Sequence, residues 1–253
     1  MSAFPRRRFL GVDFTPLPLD EAVGRIIARD PAAPFAFVVT PNAQHVVAAR
    51  SGDDRFAGPQ GAAWMVLNDS RILRLLSHGL FGFDMPVAPG SDVVARLFER
   101  GVPADATLTL IGGDAKVEAT LRQRFGIRSV ARFTPSFGFW RDPAEVEQCL
   151  AFVRAHPARY VFLIAGAPQS EELARRLSAT PGVTGVGLCV GSALNFLTGR
   201  VRRAPVWMRE AGLEWAWRLA LNPRGHFRRV FIESAPILWI ALIERLRTVR
   251  RPA

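Results

Sequence analysis

The feature that most constrains this chain is a regular alternation of short apolar runs with segments of helical periodicity. Five runs are rich in β-branched or aromatic residues and end at Gly, Pro, Asn or Asp, as buried strands do. They are 35–39, 64–67, 107–111, 160–164 and 183–190. Helix-like patterns follow most of them, at 42–49, 91–99, 115–125 and 170–177. This alternation predicts an α/β fold: a Rossmann-like, mostly parallel sheet flanked by helices.

The last fifth of the chain has a different composition. Residues 200–253 contain twelve arginines, four of the six tryptophans and only four acidic residues, so this segment supplies +8 of the net charge of +11. Amphipathic indoles beside arginines suit an anionic lipid headgroup region. We therefore expect a Rossmann-like body over 1–199 and a basic, Trp/Arg-rich helical appendage over 200–253 that associates with a membrane surface.

The chain shows no sign of secretion or of a membrane crossing. Residues 1–8 are basic, but the apolar run that follows is too short for a signal sequence, and the apolar stretch at 235–243 is far below the roughly 20 residues of a spanning helix. The four histidines and two cysteines have no spacing typical of zinc or disulfide sites. We expect a peripheral protein in a reducing compartment, with no metal site.

A series of turns resembles one known family. In chain order the turns are Thr40-Pro41-Asn42-Ala43-Gln44-His45, Asn68-Asp69-Ser70, Gly90-Ser91-Asp92, Ile111-Gly112-Gly113, Ala167-Pro168-Gln169-Ser170-Glu171 and Gly191-Ser192-Ala193-Leu194-Asn195-Phe196-Leu197-Thr198-Gly199. The most specific part is a closing block: Arg203-Ala204-Pro205-Val206-Trp207, Gly212-Leu213-Glu214-Trp215, Arg218-Leu219 and Asn222-Pro223-Arg224. In this order the motifs are similar to those of the WecG/TagA/CpsF glycosyltransferases, from about residue 40 to about residue 229.

The resemblance implies an inverting transfer of a sugar from a UDP-sugar donor to a polyprenyl-diphosphate-linked acceptor. It places the protein in bacterial surface-polysaccharide biosynthesis, peripherally on the cytoplasmic face of the inner membrane, without a metal or other cofactor. N-acetylmannosamine, its uronic acid and glucose are all compatible with it, and so is a homo-oligomer.

Asp69 is the candidate catalytic residue. Inversion by direct displacement needs one carboxylate to take the proton of the attacking hydroxyl, and such general-base help contributes about 10²–10⁴ in rate. The resemblance implies that Asp69, at a predicted strand end, has this role. The alternative is that Asp69 caps the following helix.

The other candidate residues also follow predicted strands or lie in the closing block. Thr40 and Asn42 suit sugar hydroxyls or a diphosphate, or an ordinary helix cap. Gly112 and Gly113 suit a phosphate or a simple turn. The resemblance implies nucleotide contacts from Pro168, Gln169, Ser170, Glu171, Gly191 and Ser192. Arg203, Arg218 and Arg224 are candidates to bind the diphosphate, whereas the arginines expected to face the membrane are Arg228, Arg229, Arg245, Arg247, Arg250 and Arg251.

Three other functions are compatible with parts of the sequence to different degrees. The sequence departs from the family pattern at Ser70 (usually Gly), Val87 (usually Arg nearby), Ser170 (usually Gln) and Asn195 (usually Asp), so the alternative is a catalytically impaired protein that binds a UDP-sugar or a lipid diphosphate. Nucleic-acid binding is disfavoured, because the basic residues accompany a Trp-rich apolar segment and not a reader motif. A nicotinamide-dependent dehydrogenase would carry a Gly-x-Gly-x-x-Gly fingerprint, which this chain lacks.

Overall fold

The computed structural model describes residues 4–249, except for the side chains of Glu210 and Val249. The strands of this part are β1 (Arg7–Phe9), β2 (Val12–Phe14), β3 (Ala36–Val39), β4 (Met65–Val66), β5 (Thr107–Ile111), β6 (Ser129–Phe133), β7 (Tyr160–Leu163) and β8 (Val186–Cys189). The helices of the first part of the chain are α1 (Leu19–Ala28), α2 (Ala43–Arg50), α3 (Asp54–Ala62), α4 (Arg71–Phe81), α5 (Gly90–Gly101), α6 (Ala115–Phe125), α7 (Pro143–Ala155), α8 (Gln169–Ala179) and α9 (Ala193–Leu197). The last part contains α10 (Val206–Glu210), α11 (Glu214–Leu221), α12 (Pro223–Phe227), a π-helical segment (Arg228–Ser234) and α13 (Pro236–Val249).

Six of the strands form one parallel sheet in the order β4-β3-β8-β7-β5-β6. The predicted α/β fold is therefore confirmed. All six carboxyl ends lie at the same edge, where open α/β sheets bind their ligands. The sequence patterns did not predict the edge strand β6 or the antiparallel hairpin β1-β2 that precedes the sheet.

The core lies on both faces of the sheet, because strand residues alternate between the two. One cluster joins Phe37, Val39 and Val161 with side chains of α2, α4, α7 and α8. The other joins Val38, Leu110 and neighbouring strand residues with side chains of α1, α5 and α6. Burial on both faces explains why the strands consist of continuous apolar runs.

The C-terminal segment 200–249 joins the body unevenly. The helices α11 and α12 and the π-helical segment contain no buried residue. By contrast, Ile237 and Ala241 of α13 are fully buried and belong to the first core cluster. An ion pair of 2.6 Å joins Arg50 of α2 to Glu244 of α13. The last helix of the segment that follows the composition change near residue 200 is thus part of the core. The predicted division into a body and an appendage stays a prediction.

Candidate active site

The turn after β4 presents Asp69 at the carboxyl edge of the sheet. Asn68 is buried, and its Oδ1 accepts a hydrogen bond from the Ser70 N–H at 2.9 Å. The Asp69 N–H donates to the Pro41 carbonyl at 3.1 Å, which ties this turn to the one after β3. The Ser70 hydroxyl accepts from the Leu73 N–H at 3.3 Å and caps α4. The alternative in which Asp69 caps this helix is therefore wrong.

Charges from distant parts of the chain surround Asp69. Its side chain is partly accessible but has protein atoms on most sides, and its pKa is raised to about 7. Burial is the main cause of the shift. Arg218 lowers the pKa, Glu214 raises it, Arg229 lowers it, and Asp92 raises it. A carboxyl with a pKa near neutrality can accept a proton in one step and release it in the next, as a general base must.

Arg218 reaches this group from α11. It donates from Nη2 to Glu214 Oε1, one helical turn earlier, at 2.5 Å. Its guanidinium lies over the Phe196 ring, 5.3 Å from the centroid. These contacts fix the orientation of the guanidinium beside Asp69. The structure brings Arg218 to Asp69, while its role in binding stays a prediction.

Arg229, one of the arginines expected to face the membrane, is a second cation near Asp69 and is only partly exposed. The π-helical segment that carries it packs against α2, and its contact with a membrane stays a prediction. Burial and the neighbouring Arg218 lower the Arg229 pKa, whereas Asp69 raises it. The preceding residue, Arg228, stays exposed and pairs with Glu233 at 3.2 Å.

Two further arginines converge on Asp92 at the start of α5. Arg203 Nη2 lies 2.6 Å and Arg209 Nη1 lies 3.6 Å from Asp92 Oδ1. The Nε atoms of both arginines are buried and find no hydrogen-bond acceptor among the described residues. Two guanidiniums therefore share one carboxylate and keep unsatisfied donors, an arrangement that favours an additional anion.

Thr40 and Asn42 lie beside these charges, at the end of β3. Thr40 is buried against the start of α5, and a Cβ at Gly90 would lie 2.9 Å from its Oγ1. The Asn42 side chain accepts hydrogen bonds from the N–H groups of Gln44 and His45 and caps α2. The capping alternative for Asn42 is thus present in the structure, and ligand binding by either residue stays a prediction.

The glycine pair after β5 allows two backbones to approach closely. Gly112 and Gly113 have φ values of 92° and 74°, which non-glycine residues rarely adopt. A Cβ at Gly112 would lie 3.2 Å from the carbonyl carbon of Ile164. Asp114 then caps α6 by accepting from the Val117 N–H at 3.1 Å. A simple turn accounts for both glycines, and a phosphate contact stays a prediction.

The turn after β7 ends at Pro168, and Gln169 is the first residue of α8. The Ala167–Pro168 peptide bond is cis. When the amide nitrogen of Gln169 faces the carbonyls of Gly166 and Ala167, its Oε1 accepts from Trp140 Nε1 at 3.2 Å. Gln169 thereby connects this turn to the segment that follows β6.

Ser170 and Glu171 differ in what surrounds them at the start of α8. The buried Ser170 hydroxyl donates to the Leu163 carbonyl at 3.0 Å and accepts from the Ala165 N–H at 3.1 Å. Glu171 is also buried, and its Oε2 finds no partner among the described residues. Burial raises its pKa to about 7. Ser170 thus holds the turn together, whereas Glu171 keeps a polar atom that no described residue satisfies.

The turn after β8 lies between the groups just described. Gly191 has a φ of 53°, and Ser192 is exposed immediately before α9. Because β8 lies between β3 and β7 in the sheet, this turn joins the Thr40 side of the edge to the Glu171 side. The strand ends that carry the candidate residues therefore form one continuous row.

Some expected residues lie elsewhere, and others were missed. Arg224 is exposed on α12 and is not among the charges that act on Asp69. Arg245 and Arg247 are exposed on α13, and Arg250 and Arg251 lie outside the described residues. Arg209 was not predicted. No local spacing distinguishes Arg209 from the arginines near it, because only the packing of the segment brings it to Asp92.

A depression of about 640 Å³ between α3 and α8 is a separate feature. Charged side chains of the two helices line it, among them Arg55, Glu172 and Arg175. Arg55 is already paired with Asp53, and Arg175 with Glu172. This depression does not involve the turns at the strand ends. We therefore place the candidate site at Asp69.

One comparison with known proteins bears on this site. The model of the glycosyl transferase WecG/TagA/CpsF family matches residues 7–251. The match includes every strand of the sheet, the Asp69 turn and the arginines of the C-terminal segment. Between residues 4 and 249, no helix combines the length and the apolar character that crossing a bilayer requires.

Proposed function

We infer the reaction from one premise: this chain belongs to the glycosyl transferase WecG/TagA/CpsF family and is therefore a glycosyltransferase of surface-polysaccharide biosynthesis. We propose that it inverts the anomeric configuration as it moves a sugar from a UDP-sugar to a polyprenyl-diphosphate-linked saccharide. The observation that carries the proposal is Asp69, a carboxyl with a pKa of about 7 at a strand end, beside Arg218 and Arg229.

In the proposed reaction Asp69 is the general base. Its carboxylate takes the proton of the acceptor hydroxyl while that oxygen attacks the anomeric carbon. The bond between this carbon and the donor's β-phosphate oxygen breaks, and its electron pair leaves with UDP. Attack from the face opposite the leaving group inverts the configuration, and the Asp69 proton then passes to solvent.

The arginines of the C-terminal segment neutralise the leaving group in this scheme. Arg218 and Arg229 lie beside Asp69, and Arg203 and Arg209 carry more positive charge than Asp92 offsets. Guanidiniums held in place before the reaction stabilise charge that develops on a departing diphosphate. Arg209 and Arg229 thereby join the residues proposed to bind it.

The donor is proposed to lie along the row of strand ends. Adjacent strands are about 4.8 Å apart, so the turns after β4 and β7, three strands along, are about 14 Å apart. This distance suits an extended nucleotide-sugar with its reacting carbon at Asp69 and its nucleoside near Glu171. The unsatisfied Glu171 Oε2 can accept a hydrogen bond from a ribose hydroxyl.

A donor screen with the full chain tests the function. Labelled UDP-sugars are incubated with a short-chain polyprenyl-diphosphate saccharide, and the anomeric configuration of the product is read by NMR. We expect transfer with inversion, and a loss of about 10²–10⁴ in kcat for Asp69→Asn. Asp105→Asn, at an exposed position before β5, is the matched control.

Two outcomes would contradict the proposal. A product that retains the donor's configuration would exclude direct displacement. Tight UDP-sugar binding without transfer from any donor would favour the impaired binding protein. The departures at Ser70 and Ser170 do not themselves favour it, because Ser70 caps α4 and Ser170 secures the β7 turn.

A further inference from the structure

A groove of about 490 Å³ lies beside α4, the helix that follows the Asp69 turn. One wall is the α4 stripe, which we define as Arg71, Arg74, Leu75 and His78. The other wall is the turn between α10 and α11, at residues 211–212. The stripe residues are three, four and seven positions apart, so they share one face of the helix.

Both walls of the groove are connected to the Asp69 site through short stretches of chain. On α4, Arg71 follows Asp69 by two residues. On the opposite wall, Gly212 precedes Glu214 by two residues, and Glu214 is among the charges that act on Asp69. The two walls meet where a Cβ at Gly212 would lie 3.6 Å from the Arg71 Cδ. A molecule bound in this groove would therefore lie near the turn that carries the proposed base.

The groove combines positive charge with exposed apolar surface. Asp84, which also lines the groove, accepts two hydrogen bonds from Arg74, at 2.7 and 3.2 Å. No described side chain forms a hydrogen bond or ion pair with Arg71, which is exposed like His78. Leu75, between them on the stripe, is 71% exposed. Cationic and imidazole donors beside an exposed leucine suit a phosphate ester that carries an apolar chain.

Exposed apolar residues precede the wall opposite the α4 stripe by about one helical turn, since the Ala211 N–H donates to the Trp207 carbonyl at 2.9 Å. Val206 and Trp207 of α10 are both exposed, a few residues before Gly212. An apolar chain that leaves the groove on this side would therefore find further apolar side chains. The groove thus offers the polar and apolar contacts of one amphiphilic ligand in sequence.

We propose that the α4 stripe binds the phosphate of the acceptor lipid, at a position separate from the donor diphosphate at Arg203, Arg209, Arg218 and Arg229. The inference rests on the proposed function, because it assumes an acceptor sugar at Asp69. The proposed ligand is the acceptor lipid and not a bulk membrane headgroup. In this assignment the donor and acceptor diphosphates each have their own arginines.

Kinetics of Arg71→Gln with the full chain test the assignment. We expect its KM for a short-chain polyprenyl-diphosphate saccharide to rise about tenfold or more, as for the loss of one charge-assisted hydrogen bond, with the donor KM unchanged. The same saccharide on an uncharged alkyl chain should show no such penalty. Ala211→Trp, which fills the groove from the other wall, should impair both acceptors. Arg25→Gln, at an exposed position on α1, is the control.

Direct binding separates this inference from the proposed function. The Kd of a short-chain prenyl diphosphate is measured by calorimetry for the parent protein, Arg71→Gln and Arg25→Gln. Weaker binding only in Arg71→Gln supports the groove, even if no sugar transfer is found with any donor. Equal Kd values in all three proteins would overturn it. A second result would also overturn it: if Arg71→Gln weakens binding to anionic vesicles but leaves the Kd of the prenyl diphosphate unchanged, the groove belongs to lipid headgroups.

Discussion

The carboxylate of Asp69 and the guanidinium of Arg229 lie close enough for each to shift the pKa of the other, although 160 residues separate them in the chain. Arg229 belongs to the π-helical segment that packs on α2, and Asp69 belongs to the turn after β4. The protonation of the proposed base therefore depends on where the C-terminal segment sits.

The first prediction concerns the pH dependence of turnover. A general base must be deprotonated, so kcat/KM is expected to rise with pH and to reach half its plateau near the Asp69 pKa of about 7. Arg229→Gln removes a cation that favours the carboxylate, so the midpoint should move to higher pH. Arg228→Gln removes a neighbouring, exposed cation and should leave the midpoint in place. A profile that is flat from pH 5 to 9 would contradict the role of Asp69.

The second prediction concerns stability. The folded pKa of Asp69, about 7, exceeds the unfolded value of 3.8. This group's contribution to stability is therefore greatest below pH 3.8 and is lost as pH rises through 7. Asp69→Asn removes that loss and should raise the free energy of unfolding at pH 8 by roughly 1–2 kcal/mol, while it lowers kcat by about 10²–10⁴.

Urea unfolding of Asp69→Asn at several pH values measures the effect. The gain relative to the parent protein should shrink as pH falls from 8 to 4. Asp105→Asn provides the baseline, because that position is exposed. A destabilised Asp69→Asn protein at pH 8 would show that the carboxylate is needed for the fold.

The third prediction compares two glycines of α5. At Gly90 a Cβ would lie 2.9 Å from Thr40 Oγ1 and 3.2 Å from the Val190 Cβ, whereas at Gly101 the nearest atom would be 3.9 Å away. Gly90→Ala should cost about 1–3 kcal/mol of stability and lower activity, since it displaces Thr40. Gly101→Ala, in the same helix, should be neutral or slightly stabilising. Thermal unfolding and transfer rates of the two variants check this, and equal behaviour would argue against close packing at Gly90.

The fourth prediction compares two neighbours in α13. Ile237 is buried in the main core, whereas Trp239 is 65% exposed. Ile237→Ala should lower the free energy of unfolding by about 2–5 kcal/mol. Trp239→Ser should leave stability nearly unchanged but weaken binding to anionic vesicles, because an indole at the headgroup level is lost.

Vesicle flotation and urea unfolding measure the two effects on α13 separately. Phe137→Ser removes an exposed aromatic residue from the segment after β6 and serves as the control. If Trp239→Ser and Phe137→Ser bind vesicles equally well, the C-terminal surface is not the membrane contact.

Local patterns predicted much of the fold. The bounds of β5 and α6 agree with the sequence-based ranges, because a dense β-branched run, a glycine pair and an Asp cap mark them. The strand β6 was missed because Arg132 and partly exposed positions interrupt its apolar pattern. Edge strands need not be buried on both faces, so their sequences carry a weaker signal.

The site could be predicted only where it is built from strand ends. Asp69 follows an apolar run, and a parallel sheet brings such positions to one edge. Arg209 and Arg229 could not be predicted, because nothing in their local sequence distinguishes them from the solvent-exposed Arg228. Their positions depend on how the C-terminal segment packs on α2 and α5, which is a long-range property of the fold.

The segment that supplies Glu214 and Arg218 contains no buried residue. Regions with few buried contacts open locally at a lower free energy than global unfolding. Amide hydrogens of 214–227 should therefore exchange with solvent before those of the sheet. Each such opening would take Arg218 away from Asp69 while the sheet stays folded, so the protein should spend part of its time folded yet unable to react.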